Sequence, residues 1–231
     1  MKDDLLNYSL KKRAKTFYFA SLFFSEEIHN DVKILYYFCR YIDDVGDSNL
    51  FSKENSKKQL KNIRHQIKSL KSNNQIISNF IKLLLKYNIN ISVPIELING
   101  VLSDQSKVNI KSYDELIVYS FKVAGTVGLM MCNIMEVDDP KLRLKGITLG
   151  IAMQFTNIAR DIKEDLEQKR IYFPKTQMSD KDSNFNEILT NKSFQTGFAK
   201  NLQSFLDIAD QIYEISWSGI IKLPLRFRIP I

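Results

Sequence analysis

Glycine and proline are scarce here, 8 and 5 among 231 residues, and long stretches contain neither. A sheet protein needs turn residues at short intervals, so this scarcity favours helices. Cysteine is rarer still. Cys39 and Cys132 are too few for a disulfide framework and match no metal-ligand spacing, which excludes a disulfide-stapled secreted scaffold and favours a reducing compartment. Both read as core residues. No uninterrupted apolar run reaches the roughly eighteen residues that cross a bilayer. Asp3 and Asp4 precede only short apolar stretches, so no secretory leader is expected. Together these absences point to a cytoplasmic protein.

What is present is ordinary globular material, 44% hydrophobic and 26% charged. That is enough for one domain over residues 1–231 with a core built around a sizeable cavity. A net charge of +7 suits nucleic acid, anionic lipid or phosphorylated small molecules, and charge alone does not choose among them. Lys53, Lys57, Lys61, Arg64 and Lys68 recur at helical spacing beside Leu60, Ile63, Ile67 and Leu70. The result is an amphipathic helix with a basic edge, read as a solvated face, with peripheral membrane contact as the alternative.

There is no internal repeat and no low-complexity linker. Apolar residues at three- and four-residue spacing predict helices over 5–23, 27–48, 54–71, 75–87, 94–106, 113–136, 140–168 and 195–220. The fold class is therefore all-α. Pro94 and Pro140 fit first helical turns, and the polar stretch 175–193 reads as a surface loop or short helix.

Chemistry concentrates at two helix ends. Tyr36, Arg40, Asp43 and Asp47 share one face, with Asp44 one position round. Acids so close together repel, and the helix C-terminus disfavours each by roughly 0.3 to 1 kcal/mol. A bound cation would reverse both effects. Clustered carboxylates are what Mg²⁺ accepts when it also bridges phosphate oxygens. The plain alternative is a solvated end with Arg40 paired to Asp43 or Asp44. A second face repeats the arrangement with Gln154, Asn157, Asp161 and Asp165. Its plain alternative pairs Arg160 with Glu164 and Lys163 with Glu167. However, Gln154 and Asn157 run back into an otherwise apolar segment, where amides need partners. Two such faces opposed across a bundle would hold Mg²⁺ ions around a diphosphate.

Ala124, Gly125 and Gly128 leave one side of a predicted helix nearly bare, allowing close helix packing or room for a long ligand tail. Met130, Met131 and Met135 could line a pliable tunnel, although plain core is the commoner use of such spacing.

Five segments in order then resemble the squalene and phytoene synthases. They are Ala14-Lys15-Thr16-Phe17-Tyr18, Tyr37 to Asp47, Gly100 with Asp104, Tyr119 with Val123 to Gly128, and Gln154 to Asp165 continuing to Arg170-Ile171-Tyr172-Phe173-Pro174. The wording is most similar to bacterial phytoene synthases. The resemblance implies an isoprenoid-synthase helical bundle in which two prenyl diphosphates join head to head through a cyclopropylcarbinyl diphosphate. It implies Mg²⁺, with Mn²⁺ as a substitute, held by Asp43, Asp47, Asn157, Asp161 and Asp165. It places Lys15, Phe17, Tyr36, Arg40, Gln154, Asn157 and Arg160 on the substrate. Tyr119 matches the family's active-site tyrosine, where the plain reading is a core aromatic.

The leading expectation is phytoene from geranylgeranyl diphosphate, with no NADPH and no nucleic acid, by a monomer. The alternatives are squalene or dehydrosqualene synthesis from farnesyl diphosphate, or a non-catalytic scaffold with the same fold. The family often has serine where this chain has Ala14. It also continues past the position of Ile231, so the bundle is expected to lack one or two closing helices.

Overall fold

The computed structural model describes residues 22–47, 52–174 and 192–228, with side chains of 192–197 left aside. Eight helices of two turns or more follow one another among the described residues: α1 (Glu26–Asp47), α2 (Lys53–Ser69), α3 (Gln75–Lys86), α4 (Ser92–Asp104), α5 (Tyr113–Ser120), α6 (Thr126–Ile134), α7 (Pro140–Glu167) and α8 (Lys192–Ile220). A short α9, Leu225–Arg228, closes the described chain. Nothing among these residues forms a strand beyond one isolated parallel bridge, Asn109 to Ile171.

Local sequence accounts for most helix starts. Ser52, Asn74, Ser112 and Asp139 each accept a backbone N–H of the first turn. Pro140 occupies the opening position of α7, where its missing N–H costs nothing. The predicted helix over 54–71 stops two residues early. Leu70 takes a left-handed cap with φ 54°, its N–H closing on the Gln66 and Ile67 carbonyls, and so turns out of the apolar row. Leu60, Ile63 and Ile67 keep that row buried. On the basic edge Lys53, Lys61 and Lys68 are exposed, whereas Arg64 is drawn onto Asn99 of α4 at 2.9 Å. The predicted helix over 5–23 and the polar stretch 175–193 fall almost wholly outside the described residues.

Predicted as one helix, 113–136 is broken by a π-helical turn, Phe121–Gly125, where Thr126 N–H reaches the Phe121 carbonyl. Such wide turns often mark functional sites. The stretch Tyr113–Ile134 is long and apolar enough to cross a bilayer by length and composition alone, with mean hydropathy 1.4. In the bundle only about a third of it is buried, and Ile117 and Val118 are exposed. A Cβ on Gly128 would collide with the Gly146 carbonyl, and one on Gly150 with the Ala124 carbonyl, so α7 crosses it in backbone contact. The bare side therefore serves close packing, and Ala124 and Gly128 also line the cavity described below.

The core falls into two main clusters. One joins α1 to α4 and α6, with Phe38 and Phe80 stacked at 3.5 Å and both fully buried. The other joins α5, α7 and α8 around Phe155 and Phe205, 5.0 Å apart. Between them lies a cavity.

Candidate active site

The cavity measures about 600 Å³ and both aspartate faces open on it. From α1 come Asp43 and Asp47, and from α7 come Gln154, Asn157, Asp161 and Asp165. Further along, its wall becomes apolar, with Val127, Met131, Leu149, Met153 and Leu223. The methionines divide: Met130 is fully buried core, while Met131 and Met135 line the cavity. Cys39 and Cys132 are free thiols in the wall, Cys132 buried and Cys39 half-buried.

The α1 face is held in place from α4. Gln105 donates its side-chain amide to the Gly46 carbonyl at 2.9 Å, and Gly46 fits against Val101 without room for a side chain. Thus anchored, the helix turns Asp43 inward. Burial and repulsion from Asp47 push its carboxyl up to about 7. Asp44 points the other way and pairs with Arg40 at 2.6 Å. Neither Arg40 nor Tyr36 reaches the cavity wall; Tyr36 meets Tyr37 edge-on, 5.9 Å between ring centres. Lys15, Phe17 and Ala14 lie outside the described residues.

On α7, Arg160 grips its neighbour Asp161 with two hydrogen bonds of 2.7 and 2.6 Å. The Arg160–Glu164 pair of the plain alternative gives way to a bidentate one facing the cavity, whose planar fork geometry suits carboxylate and phosphate alike. Burial pushes Asp165 up to about 6, against the pull of Arg170.

Arg170 is the site residue that sequence reasoning missed. After α7, Lys169 adopts φ 59° and Arg170 N–H closes on the Asp165 carbonyl, reversing the chain. The bridge at Ile171 then fixes the segment beside residues 108–110. This carries the Arg170 guanidinium across the cavity mouth to Asp47 at 2.8 Å, 123 residues earlier in the chain. Tyr172 and Asp104 were also overlooked. Tyr119 stacks on Tyr172 at 4.9 Å and donates its hydroxyl to Asp104 at 2.9 Å. All three line the cavity. Their signal was present in Arg170-Ile171-Tyr172 and Gly100 with Asp104, but no periodicity joins those segments.

Among the described residues, no three of His, Cys, Asp or Glu form a ready-made metal cage. The donor chemistry nonetheless fits a hard divalent cation that keeps waters and takes one or two carboxylates plus phosphate. Five carboxylates face one cavity, Asp43, Asp47, Asp104, Asp161 and Asp165, and burial raises three of them, Asp43, Asp104 and Asp165, above the ordinary carboxylate range.

An all-α bundle with two opposed carboxylate faces over an apolar cavity defines the isoprenoid-synthase class of prenyltransferases. The match to the squalene/phytoene synthase profile runs over residues 10–231, and the chain belongs to that family. It is 27% identical to the 15-cis-phytoene synthase of Enterobacter agglomerans over 92% of this chain and 75% of that protein. It is also 27% identical to a phytoene synthase of Cereibacter sphaeroides, over 97% of this chain and 66% of that one. A dehydrosqualene synthase crystal structure superposes with a TM-score of 0.79 at 25% identity, covering 97% and 79% of the two chains. The squalene synthase HpnC of Alicyclobacillus acidocaldarius gives 0.82 at 18% identity, covering 98% and 86%, which speaks to the fold alone.

Proposed function

We propose that this protein joins two molecules of geranylgeranyl diphosphate head to head, giving phytoene without a reductant. The observation that carries the reading is the shared cavity: two acid faces at one end and an apolar wall beyond them. A prenyl diphosphate has the same division, a polyanionic head and a long hydrocarbon tail. The choice of the C20 substrate follows the phytoene synthases among the relatives.

Mg²⁺, with Mn²⁺ as a substitute, would be held by Asp43 and Asp47 on one side and Asn157, Asp161 and Asp165 on the other, and supplies positive charge to the departing diphosphate. The protein's own cations complete that neutralisation. Arg170 and Arg160 each present guanidinium N–H groups at the mouth, and both are already bound to carboxylates that a diphosphate could replace as acceptors. The apolar wall keeps water from the allylic cation, so the second prenyl double bond attacks in its place. Tyr119, stacked on Tyr172, offers a ring face and a hydroxyl beside that cation.

Squalene or dehydrosqualene synthesis from farnesyl diphosphate is the second reading, favoured by the structural likeness to a dehydrosqualene synthase. Purified protein incubated with each diphosphate and Mg²⁺, with and without NADPH, separates the two. Phytoene from the C20 substrate without NADPH is the expected product. A C30 hydrocarbon selects the second reading, and no hydrocarbon from either substrate rejects both in favour of a scaffold role. The cytoplasmic location and any peripheral membrane contact belong to the same proposal, and flotation with anionic vesicles tests the latter.

A further inference from the structure

Among the polar groups of the cavity, Asp104 has the least obvious reason to be there. It ends α4, is 9% exposed, and stands away from both aspartate clusters in sequence. Its Oδ2 accepts the Tyr119 hydroxyl at 2.9 Å, whereas its Oδ1 is buried and makes no hydrogen bond among the described residues. The Tyr172 hydroxyl also bears on this carboxylate, pulling it downward without meeting Oδ1 in good geometry; a carboxylate so buried is expensive, and a structural role would be served as well by an amide. The groups facing it are Tyr119 of α5, Tyr172 and Arg170 of the segment after α7, and Asp47 of α1. Only Arg170 among them is cationic, and its hydrogen bond goes to Asp47. The Tyr119–Asp104 pair adjoins the π-helical turn Phe121–Gly125 and lines the same cavity as the two acid faces.

We propose that Asp104 is the positioning residue of a proton path, holding the Tyr119 hydroxyl toward the substrate and receiving its proton when Tyr119 takes one from the substrate-derived cation. The inference rests on the head-to-head reading, which requires proton loss when the cyclopropane ring closes. In that step a carbon–hydrogen bond two carbons away from the cationic centre breaks, and its electron pair forms the new carbon–carbon bond to that centre, closing the three-membered ring. The proton goes to the Tyr119 oxygen as the phenolic proton passes to Asp104 Oδ2. No oxidant or reductant enters. The path resets when Asp104 returns its proton through the cavity mouth to water or released diphosphate. Burial pushes Asp104 up to about 7, so its carboxylate is basic enough to receive a proton near neutrality.

The test compares wild-type protein with Asp104→Asn, Tyr119→Phe and the double variant. The readouts are kcat and KM for hydrocarbon formation, the pH profile of kcat, and thermal melting. Asparagine still accepts the Tyr119 hydrogen bond but takes no proton. The expected result is a fall in kcat of about 100-fold with little change in KM, loss of the acid limb near pH 7, and an unchanged or higher melting temperature. The double variant should be no worse than the poorer single one. Wild-type kcat and an intact acid limb in Asp104→Asn would overturn the proton path while leaving the proposed function standing. Additive losses in the double variant, or a loss confined to KM and melting temperature, would also overturn it. If the wild type forms no hydrocarbon from either prenyl diphosphate, the proposed function itself fails and the path with it.

Discussion

The two acid faces look alike in sequence and are unlike in space. On α1, Asp43 is turned into the wall beside a fully buried Ile42 and faces Asp47, with its one near cation, Arg40, committed to Asp44. On α7, Asp161 is clamped by Arg160, and Asp165 feels Arg170 from the next segment. The α7 face thus has its charge met largely from within, whereas the α1 face borrows from across the cavity through Arg170–Asp47. One arginine spans the mouth. The difference teaches that α1 carries the larger electrostatic strain, so under the proposed metal binding it would gain more than α7.

The strongest way to sharpen this contrast is to neutralise one acid on each face. Asp43→Asn and Asp161→Asn should each lower hydrocarbon formation by about 100-fold or more. Their melting temperatures should diverge: Asp43→Asn should rise above wild type at pH 8, because a strained charge is removed. Asp161→Asn should fall or stay level, because Arg160 loses its partner. Equal shifts in the two variants would break the comparison.

A second test uses pH. Asp43 and Asp104 are raised from the ordinary 3.8 to about 7, and Asp165 to about 6, so the folded state holds these protons more tightly than the unfolded chain. Their contribution to stability is full below pH 3.8 and is lost as pH rises through 6 to 7. In EDTA, melting should therefore drop by about 5 °C between pH 5 and pH 8. Adding Mg²⁺ with pyrophosphate should flatten the profile, because a bound cation favours the ionised carboxylates. A profile unaffected by that addition would speak against cation binding at this cavity.

Arg170→Gln should cost about 1 kcal/mol by chemical denaturation, a modest value because Asp47 is largely solvated. It should also steepen the pH dependence, since Arg170 pulls both Asp104 and Asp165 downward. The smallest effect is expected at the outward pair. Asp44→Asn breaks an exposed i,i+4 contact with Arg40 and should change stability by about 0.3 to 0.5 kcal/mol. A larger loss would mean that Asp44 shares the burden of Asp43.

Much of this was legible from residue order. Three- and four-residue apolar spacing located α1 to α4, α7 and α8 to within three residues at either end, because an amphipathic helix writes its period into the chain. The same spacing put each acid cluster on one face and at a helix end. The π-helical turn was not legible, because its wide hydrogen bonding leaves no distinct composition in Phe121–Gly125. Nor was the Arg40–Asp44 pair separable from an Arg40–Asp43 pair, since both partners lie within reach of the same side chain.

What the sequence determined by itself was the helical class, the two carboxylate faces and the family, because these depend on patterns among near neighbours or on ordered segments. Tertiary structure alone decided which acids face the cavity, that Arg170 closes on Asp47, and that Asp104 lies under Tyr119. Those contacts depend on a left-handed residue at Lys169, a single bridge at Ile171 and backbone-close crossings at Gly128 and Gly150. Each is a geometric event between distant segments, and no local periodicity encodes it.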